Sequence, residues 1–417
     1  MVSLCLCLIL FLSPYSCHTV SDRVLNLFPE IREGIIQTVV MAAPKEKKLF
    51  TPGPLCCSRS VKEAMLYDVG SRDVNFLDCV KYIRKTLLEV AQVSPEEFTA
   101  VPLQGSGTYS VEAVINTTSP REGAKVLILS NGAYGRRMRN FCSWAGIDAH
   151  FQEFPEDEKV NLSVVESLLK GSERFTTVAV VHSETSSGVV NPIREIGQLV
   201  RKFQPNAAYL VDAMSSFGAM PIDVRASHID YLVSSANKCL EGVPGFAYAI
   251  CRTKHLISCK GNCRVYSLDL VDQYLNLEAT GQFRFTPPTH TMLAFQRALQ
   301  EFQKDGGLEG RAKRYQTNRR ILKDGMRNLG FRELLDDSHE GYIITSYFFP
   351  KHPKFCFPTF YSKLSELDQV IYPGKVTKAD CFRIGNIGYL FPEDMEHLLA
   401  CIKKVLQEMG LPVPLSA

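Results

Sequence analysis

The stretches AYLVDAM (208–214) and DYLVSSANK (230–238) decide the fold class. Each begins as an apolar, β-branched run and ends in small or polar residues, the pattern of a buried strand whose carboxyl end opens on a crevice. Working outward, KVLILSN (125–131), TVAVVHS (177–183) and FAYAIC (246–251) repeat the strand pattern, with longer amphipathic segments between them. This alternation predicts an α/β fold with a mostly parallel sheet covered by helices. Ligands of open α/β sheets gather at the carboxyl ends of the strands. Asp212 ends one strand and Lys238 follows 26 residues later at the end of the next, so both are expected in one crevice.

The rest of the chain narrows the class. Its 417 residues are 45% hydrophobic and 22% charged, ordinary globular composition. Lys and Arg number 47 against 44 Asp and Glu, a net charge of +3 spread along the chain, so nucleic acid and an anionic membrane are not expected partners. The 14 cysteines are scattered without Cys-x-x-Cys pairs or a His-Glu-x-x-His run, and read as reduced thiols with no metal site. At the amino terminus SLCLCLILFL is too short to span a bilayer and lacks a basic flank, while a second start is available at Met41. Residues 1–40 are therefore expected to be a targeting segment or extension outside the fold, with the protein cytoplasmic or mitochondrial. Beyond them the expected organisation is an arm over 41–60, a large domain over 61–300 and a smaller α+β carboxyl-terminal domain over 301–417.

Three features carry chemistry. LQGSGT (103–108) gives a strand, a glycine turn and a helix expected to begin near Tyr109. Gly105 and Gly107 permit close approach of an anion, and Ser106, Thr108 and the free amides of the first helical turn are donors to phosphate oxygens. No Walker lysine follows, and the third glycine of a dinucleotide fingerprint is missing. A buried Asp212 demands a cationic partner or several hydrogen bonds, and a crevice favours the neutral, nucleophilic amine of Lys238. An anion clamp, a partner for a pyridinium and a Schiff-base amine are the three requirements of pyridoxal 5'-phosphate.

The resemblance to a family rests on LFTPGPL (49–55), LQGSGT, NGAYGRRM (131–138), VHSETSSGVVNPI (181–193), LVDAMSSFGAMPID (210–223), SSANKCLEGVPGF (234–246), RFTPPTH (284–290), VIYPGK (370–375) and DCFRIGNIG (380–388), in that order. From Leu49 to about Leu411 the sequence closely resembles the 2-aminoethylphosphonate:pyruvate aminotransferases, class V, fold-type I pyridoxal phosphate enzymes. The resemblance implies that Lys238 forms the Schiff base, Asp212 pairs with the pyridine nitrogen, and Ser106, Gly107 and Thr108 hold the phosphate. It further implies that Met138 stacks on the ring, Thr185 lies near the ring hydroxyl, Gly53 faces the substrate and Arg383 grips the substrate acid group. Thr286 would reach the phosphate of a neighbouring subunit, which implies a homodimer with shared sites. The implied substrates are 2-aminoethylphosphonate and pyruvate; an alanine:glyoxylate or serine:pyruvate aminotransferase is the alternative. Two departures stand out: Arg136 occupies a position where an acidic residue is expected, and Cys56-Cys57 stand where relatives carry hydroxyl residues.

Overall fold

The computed structural model describes residues 46–374, 376 and 379–415. The apolar amino-terminal stretch, Met41 and the expected boundary near residue 40 lie outside the described residues. In chain order the elements are β1 (Lys48–Leu49), α1 (Arg59–Glu63), α2 (Val74–Val90), β2 (Phe98–Gln104), α3 (Gly107–Thr118), β3 (Lys125–Ser130), α4 (Ala133–Trp144), β4 (Asp148–Glu153) and α5 (Leu162–Lys170). Then come β5 (Thr177–Val181), β6 (Ser183–Glu184), β7 (Val189–Val190), α6 (Ile193–Phe203), β8 (Ala208–Asp212), β9 (Tyr231–Ser235), β10 (Phe246–Arg252) and α7 (Thr253–Ser258). The carboxyl-terminal part holds α8 (Leu270–Thr280), α9 (Thr289–Lys304), α10 (Gly307–Asn328), β11 (Ile344–Phe348), α11 (Phe357–Glu366), β12 (Gln369–Val370), β13 (Tyr372–Pro373), β14 (Cys381–Gly385) and α12 (Pro392–Glu408).

Seven strands form the main sheet in the order β2-β10-β9-β8-β5-β3-β4. The pairs β9–β8, β8–β5, β5–β3 and β3–β4 are parallel, whereas β10 runs antiparallel to both of its neighbours. Strands β5, β8 and β9 are buried along their whole length, which explains their unbroken apolar runs. Pro102 is tolerated because β2 is an edge strand. From β3 the chain first adds β4 on one side and then crosses to β5 on the other. That reversal opens a crevice at the strand carboxyl ends.

Helix α3 begins at Gly107, two residues before the start expected from the sequence. Gly105, at φ +109°, turns the chain sharply enough for Ser106 to serve as N-cap in extended conformation. In α6 the buried residues Ile193, Ile196, Gly197 and Val200 keep helical spacing and seat it against the sheet. Gly306, in left-handed conformation, separates α9 from α10. A second, smaller core gathers Leu322, Met326, Phe360, Phe382, Leu398 and Ile402 around the antiparallel sheet β11-β14-β13. Near the amino terminus β1 pairs with β12 in parallel, so the residues just before Thr51 are tied to the carboxyl-terminal part of the chain.

Among the described residues no helix is long and apolar enough to cross a membrane. Asn116, which opens the glycosylation sequon Asn-Thr-Thr (116–118), is buried in α3 and its amide donates to the Glu112 carbonyl at 3.0 Å, so that sequon is closed to modification in this fold. Gly197 allows the close seating of α6, because a β-carbon there would collide with the backbone carbonyl of Ser227 and meet the Tyr209 ring at 2.9 Å. Gly197→Ala is expected to destabilise the protein by about 2–3 kcal/mol, the usual cost of overpacking. A urea unfolding midpoint unchanged from wild type would show that α6 yields more easily than its backbone contact suggests.

Candidate active site

The crevice is a pocket of about 290 Å³. The ends of β8 and β9 contribute Asp212, Ser235, Asn237 and Lys238; the start of α3 contributes Ser106, Gly107 and Thr108; and one face of α4 contributes Tyr134, Arg137, Met138 and Phe141. Six residues singled out from the sequence, Ser106, Gly107, Thr108, Met138, Asp212 and Lys238, therefore line a single cavity.

Asp212 is 6% exposed and accepts the Met214 amide at 3.0 Å. Burial pushes its carboxyl up to about 6; Glu184 reinforces the shift, while the Met214 amide, Lys238 and Arg137 oppose it. Among the described residues Asp212 has no ion pair. Lys238 stands in a tight turn closed by Gly242 N–H to Ala236 O and Glu241 N–H to Lys238 O, both 2.8 Å. Glu241 sits at φ +59°, an uncommon angle for a side chain of its size. Its carboxylate is gripped by Arg314, by the Tyr315 hydroxyl at 2.5 Å and by Arg311 at 3.2 Å, all from α10. The Lys238 Nζ donates to the Pro52 carbonyl at 2.7 Å, so the amine meets the arm that precedes α1.

The remaining expected site residues fall into two groups. Gly53 adjoins the lysine, for a β-carbon on it would lie 2.6 Å from Nζ. Arg383 is buried in β14; it donates to the Thr185 carbonyl at 2.6 Å and the Pro373 carbonyl at 2.9 Å, and its guanidinium lies 5.0 Å from the centroid of Tyr372, a lining residue. The Thr185 hydroxyl donates to the Tyr134 hydroxyl at 3.3 Å, which joins Thr185 and Arg383 to the rim. Thr286 is apart from them, exposed in the loop before α9 and absent from the lining.

Comparison with known proteins follows the same pattern. Residues 64–354 match the family described as Aminotransferase class-V. The chain belongs to the class-V aminotransferase family. A relative from Klebsiella pneumoniae named 2-aminoethylphosphonate–pyruvate transaminase is 48% identical over 86% of this chain and 97% of its own length. A protein of that name from Salmonella heidelberg is also 48% identical, over 87% of this chain and 98% of its own. Among solved structures, ureidoglycine–glyoxylate aminotransferase from Bacillus subtilis superposes with TM-score 0.81 at 22% identity, covering 89% of this chain and 96% of that one. Alanine–glyoxylate aminotransferase from Nostoc sp. superposes with TM-score 0.79 at 25% identity, covering 88% and 97%. The fold is that of fold-type I aminotransferases.

As a class-V aminotransferase the protein uses pyridoxal 5'-phosphate, and the pocket has the donor set for it. The Ser106 hydroxyl makes no capping bond to its own helix, which leaves it available to an anion. A β-carbon at Gly107 would overlap the Met214 thioether, so the glycine lets Met214, another lining residue, pack against the turn. A buried carboxyl raised to about 6 gains most from a cation at its side, and a protonated pyridine nitrogen would supply one. The Lys238 amine completes the set.

Several functional-site residues escaped the reading of the sequence. Tyr134, Arg137 and Phe141 share a face of α4 with Met138, and the i, i+3, i+4, i+7 spacing within NGAYGRRM and the residues after it was the available signal. For Met214 and Tyr372 no comparable signal exists, since each reaches the pocket only through the packing of distant segments. Arg136 faces away from the cavity and pairs with Glu153 at 2.8 Å and with Glu156. Cys57 donates to the Gly242 carbonyl at 3.3 Å, and burial, with Glu241 second, pushes its thiol up to about 12, so it is no nucleophile.

Two outcomes are expected from this geometry. Gly53→Ala places a methyl group against the Lys238 amine and imposes left-handed strain at φ +123°; turnover should fall at least about tenfold, as for a small misplacement of a reacting group, and the strain should also lower the unfolding midpoint. In the cofactor-free protein the Asp212 carboxyl titrates near 6 rather than at 3.8. Its folded state thus favours the protonated form, and the stability this contributes is complete below about pH 4 and lost as pH rises through about 6, a swing of roughly 3 kcal/mol. Asp212→Asn cannot titrate and should gain stability relative to wild type between about pH 4 and pH 7.5; denaturation curves that keep a constant gap across that range would refute the raised carboxyl.

Proposed function

We propose that this protein transfers the amino group of 2-aminoethylphosphonate to pyruvate, giving phosphonoacetaldehyde and L-alanine. The observation that carries the reading is near-full-length similarity, 48% over 97% of the relative's chain, to proteins named for that reaction. By contrast, the alanine–glyoxylate enzyme shares 25%. The large domain is taken as 61–300 and the small one as 301–417.

Bound pyridoxal phosphate supplies an electrophilic carbon and an electron sink for the carbon that bears the amine. Lys238 would hold the cofactor covalently, and its Nζ would serve as the base that takes a proton from the amine-bearing carbon and returns one. The Asp212 carboxylate keeps a proton on the ring nitrogen, which its buried position makes mutually favourable. Ser106, Gly107 and Thr108 hold the phosphate through hydroxyls and free amides. Met138, with its polarizable thioether, would help hold the ring, and Thr185 would hold the ring hydroxyl.

Arg383 recognises the acid group. Its planar fork suits a phosphonate in the first half-reaction and a carboxylate in the second. Burial depresses its pKa from the ordinary arginine value, with Tyr134 and Tyr372 opposing, and an anionic substrate offsets that loss of hydration. Gly53 leaves room for the substrate beside the amine. Thr286, exposed in this chain, is assigned to the cofactor phosphate of a neighbouring copy, which makes the working form a homodimer.

Two measurements test the reading. Purified protein with added cofactor is given 2-aminoethylphosphonate and pyruvate, beside L-alanine with glyoxylate and L-serine with pyruvate. Phosphonoacetaldehyde and alanine are expected from the first pair; turnover only with the carboxylate donors would move the enzyme to the alanine:glyoxylate branch. Lys238→Ala should abolish transfer and the lysine-dependent absorbance of the bound cofactor, and Arg383→Lys should raise KM for both acids at least about tenfold by losing bidentate geometry.

A further inference from the structure

A phosphate ester carries roughly −1.5 to −2 charges at neutral pH, whereas Ser106 and Thr108 are neutral and the first turn of a helix supplies about half a positive charge. Such a cradle leaves most of the anion's charge uncompensated. Lys238 is reserved for the aldehyde carbon. One guanidinium lines the pocket, that of Arg137 on α4, and its Nη1 donates to the Thr108 hydroxyl, inside the cradle, at 3.0 Å. It lies 5.1 Å from the Tyr134 ring centroid, which limits its freedom to swing away.

The contrast with the preceding residue is instructive. Arg136 is neutralised by Glu153 and Glu156 outside the cavity. Arg137, half-buried inside it, has no ion pair among the described residues. A partly desolvated cation that faces a cavity is stabilised by an anion that enters it. The position of its hydrogen bond indicates which anion: Thr108 belongs to the turn at the start of α3, whereas the acid group of the substrate is assigned to Arg383, beside Thr185 and Tyr372.

We infer that Arg137 is a ligand of the cofactor's phosphate, the charged member of a cradle whose other members are neutral. The inference rests on the assignment of that phosphate to the Ser106–Thr108 turn.

The test compares affinity for pyridoxal 5'-phosphate with affinity for pyridoxal, which lacks the phosphate, by equilibrium dialysis of the cofactor-free protein. Wild type, Arg137→Gln, Arg137→Lys and Ser106→Ala are measured together. Arg137→Gln keeps a donor for Thr108 but no charge; it should weaken binding of the phosphorylated form at least tenfold and change that of pyridoxal less than twofold. Arg137→Lys retains the charge and should fall between, which guards against a folding defect in the glutamine variant. Equal weakening of both ligands by Arg137→Gln would overturn the inference, and so would unchanged cofactor affinity with a raised KM for 2-aminoethylphosphonate. If Ser106→Ala alone reduces the preference for the phosphorylated form, the cradle stands without Arg137; if no variant reduces it, the cradle assignment itself fails.

Discussion

The parallel register of β8 on β9 is the constraint on which the site depends. Asp212 is paired with Val233, so the last residue of β8 stands level with the middle of β9, and the chain beyond β9 must turn within a few residues beside the carboxylate. Lys238 is placed by that turn. A slip of one residue in the register would send the alternate side chains of β9 to the opposite face and move the turn with them.

The turn does not hold itself. Glu241 adopts a left-handed conformation that costs free energy, and Arg311, Arg314 and Tyr315 of α10 fix it. The Arg311 guanidinium also donates to the Cys239 carbonyl at 2.5 Å, within the same turn. The lysine's backbone is thereby tied to α10, while its amine donates to the Pro52 carbonyl of the amino-terminal arm. Arg383 approaches from β14 and bonds to Thr185 just beyond β6. The placement of Lys238 and Arg383 is thus set by contacts between segments far apart in the chain, whereas Asp212 belongs to the main sheet.

Electrostatics divides the pocket into unlike ends. Asp212 is a carboxyl made costly by burial and so calls for a cation. The start of α3, with Arg137 leaning on Thr108, is rich in donors and calls for an anion. A small aromatic cation with a phosphate tail answers both demands, while a nucleotide or a simple sugar phosphate supplies the anion but no cation. His182, at the end of β5, is buried, bonded to Ser216 at 2.8 Å and pushed down to about 4; it stays neutral and adds no charge to this balance.

Sequence by itself determined the α/β alternation, the strand ends that carry Asp212 and Lys238, and the glycine turn at 105–107, because each is a local pattern: an apolar run, its polar stop, or a residue required by backbone geometry. Tertiary structure alone decided that β10 inserts antiparallel between β2 and β9, that Arg136 faces outward while Arg137 faces inward, that Tyr372 reaches the rim, and that Thr286 remains exposed in its own chain. The physical reason is that side-chain direction and strand partner depend on packing between segments distant along the chain. A local pattern specifies that a helix or strand forms, but only burial against a particular neighbour specifies which of its faces meets the site.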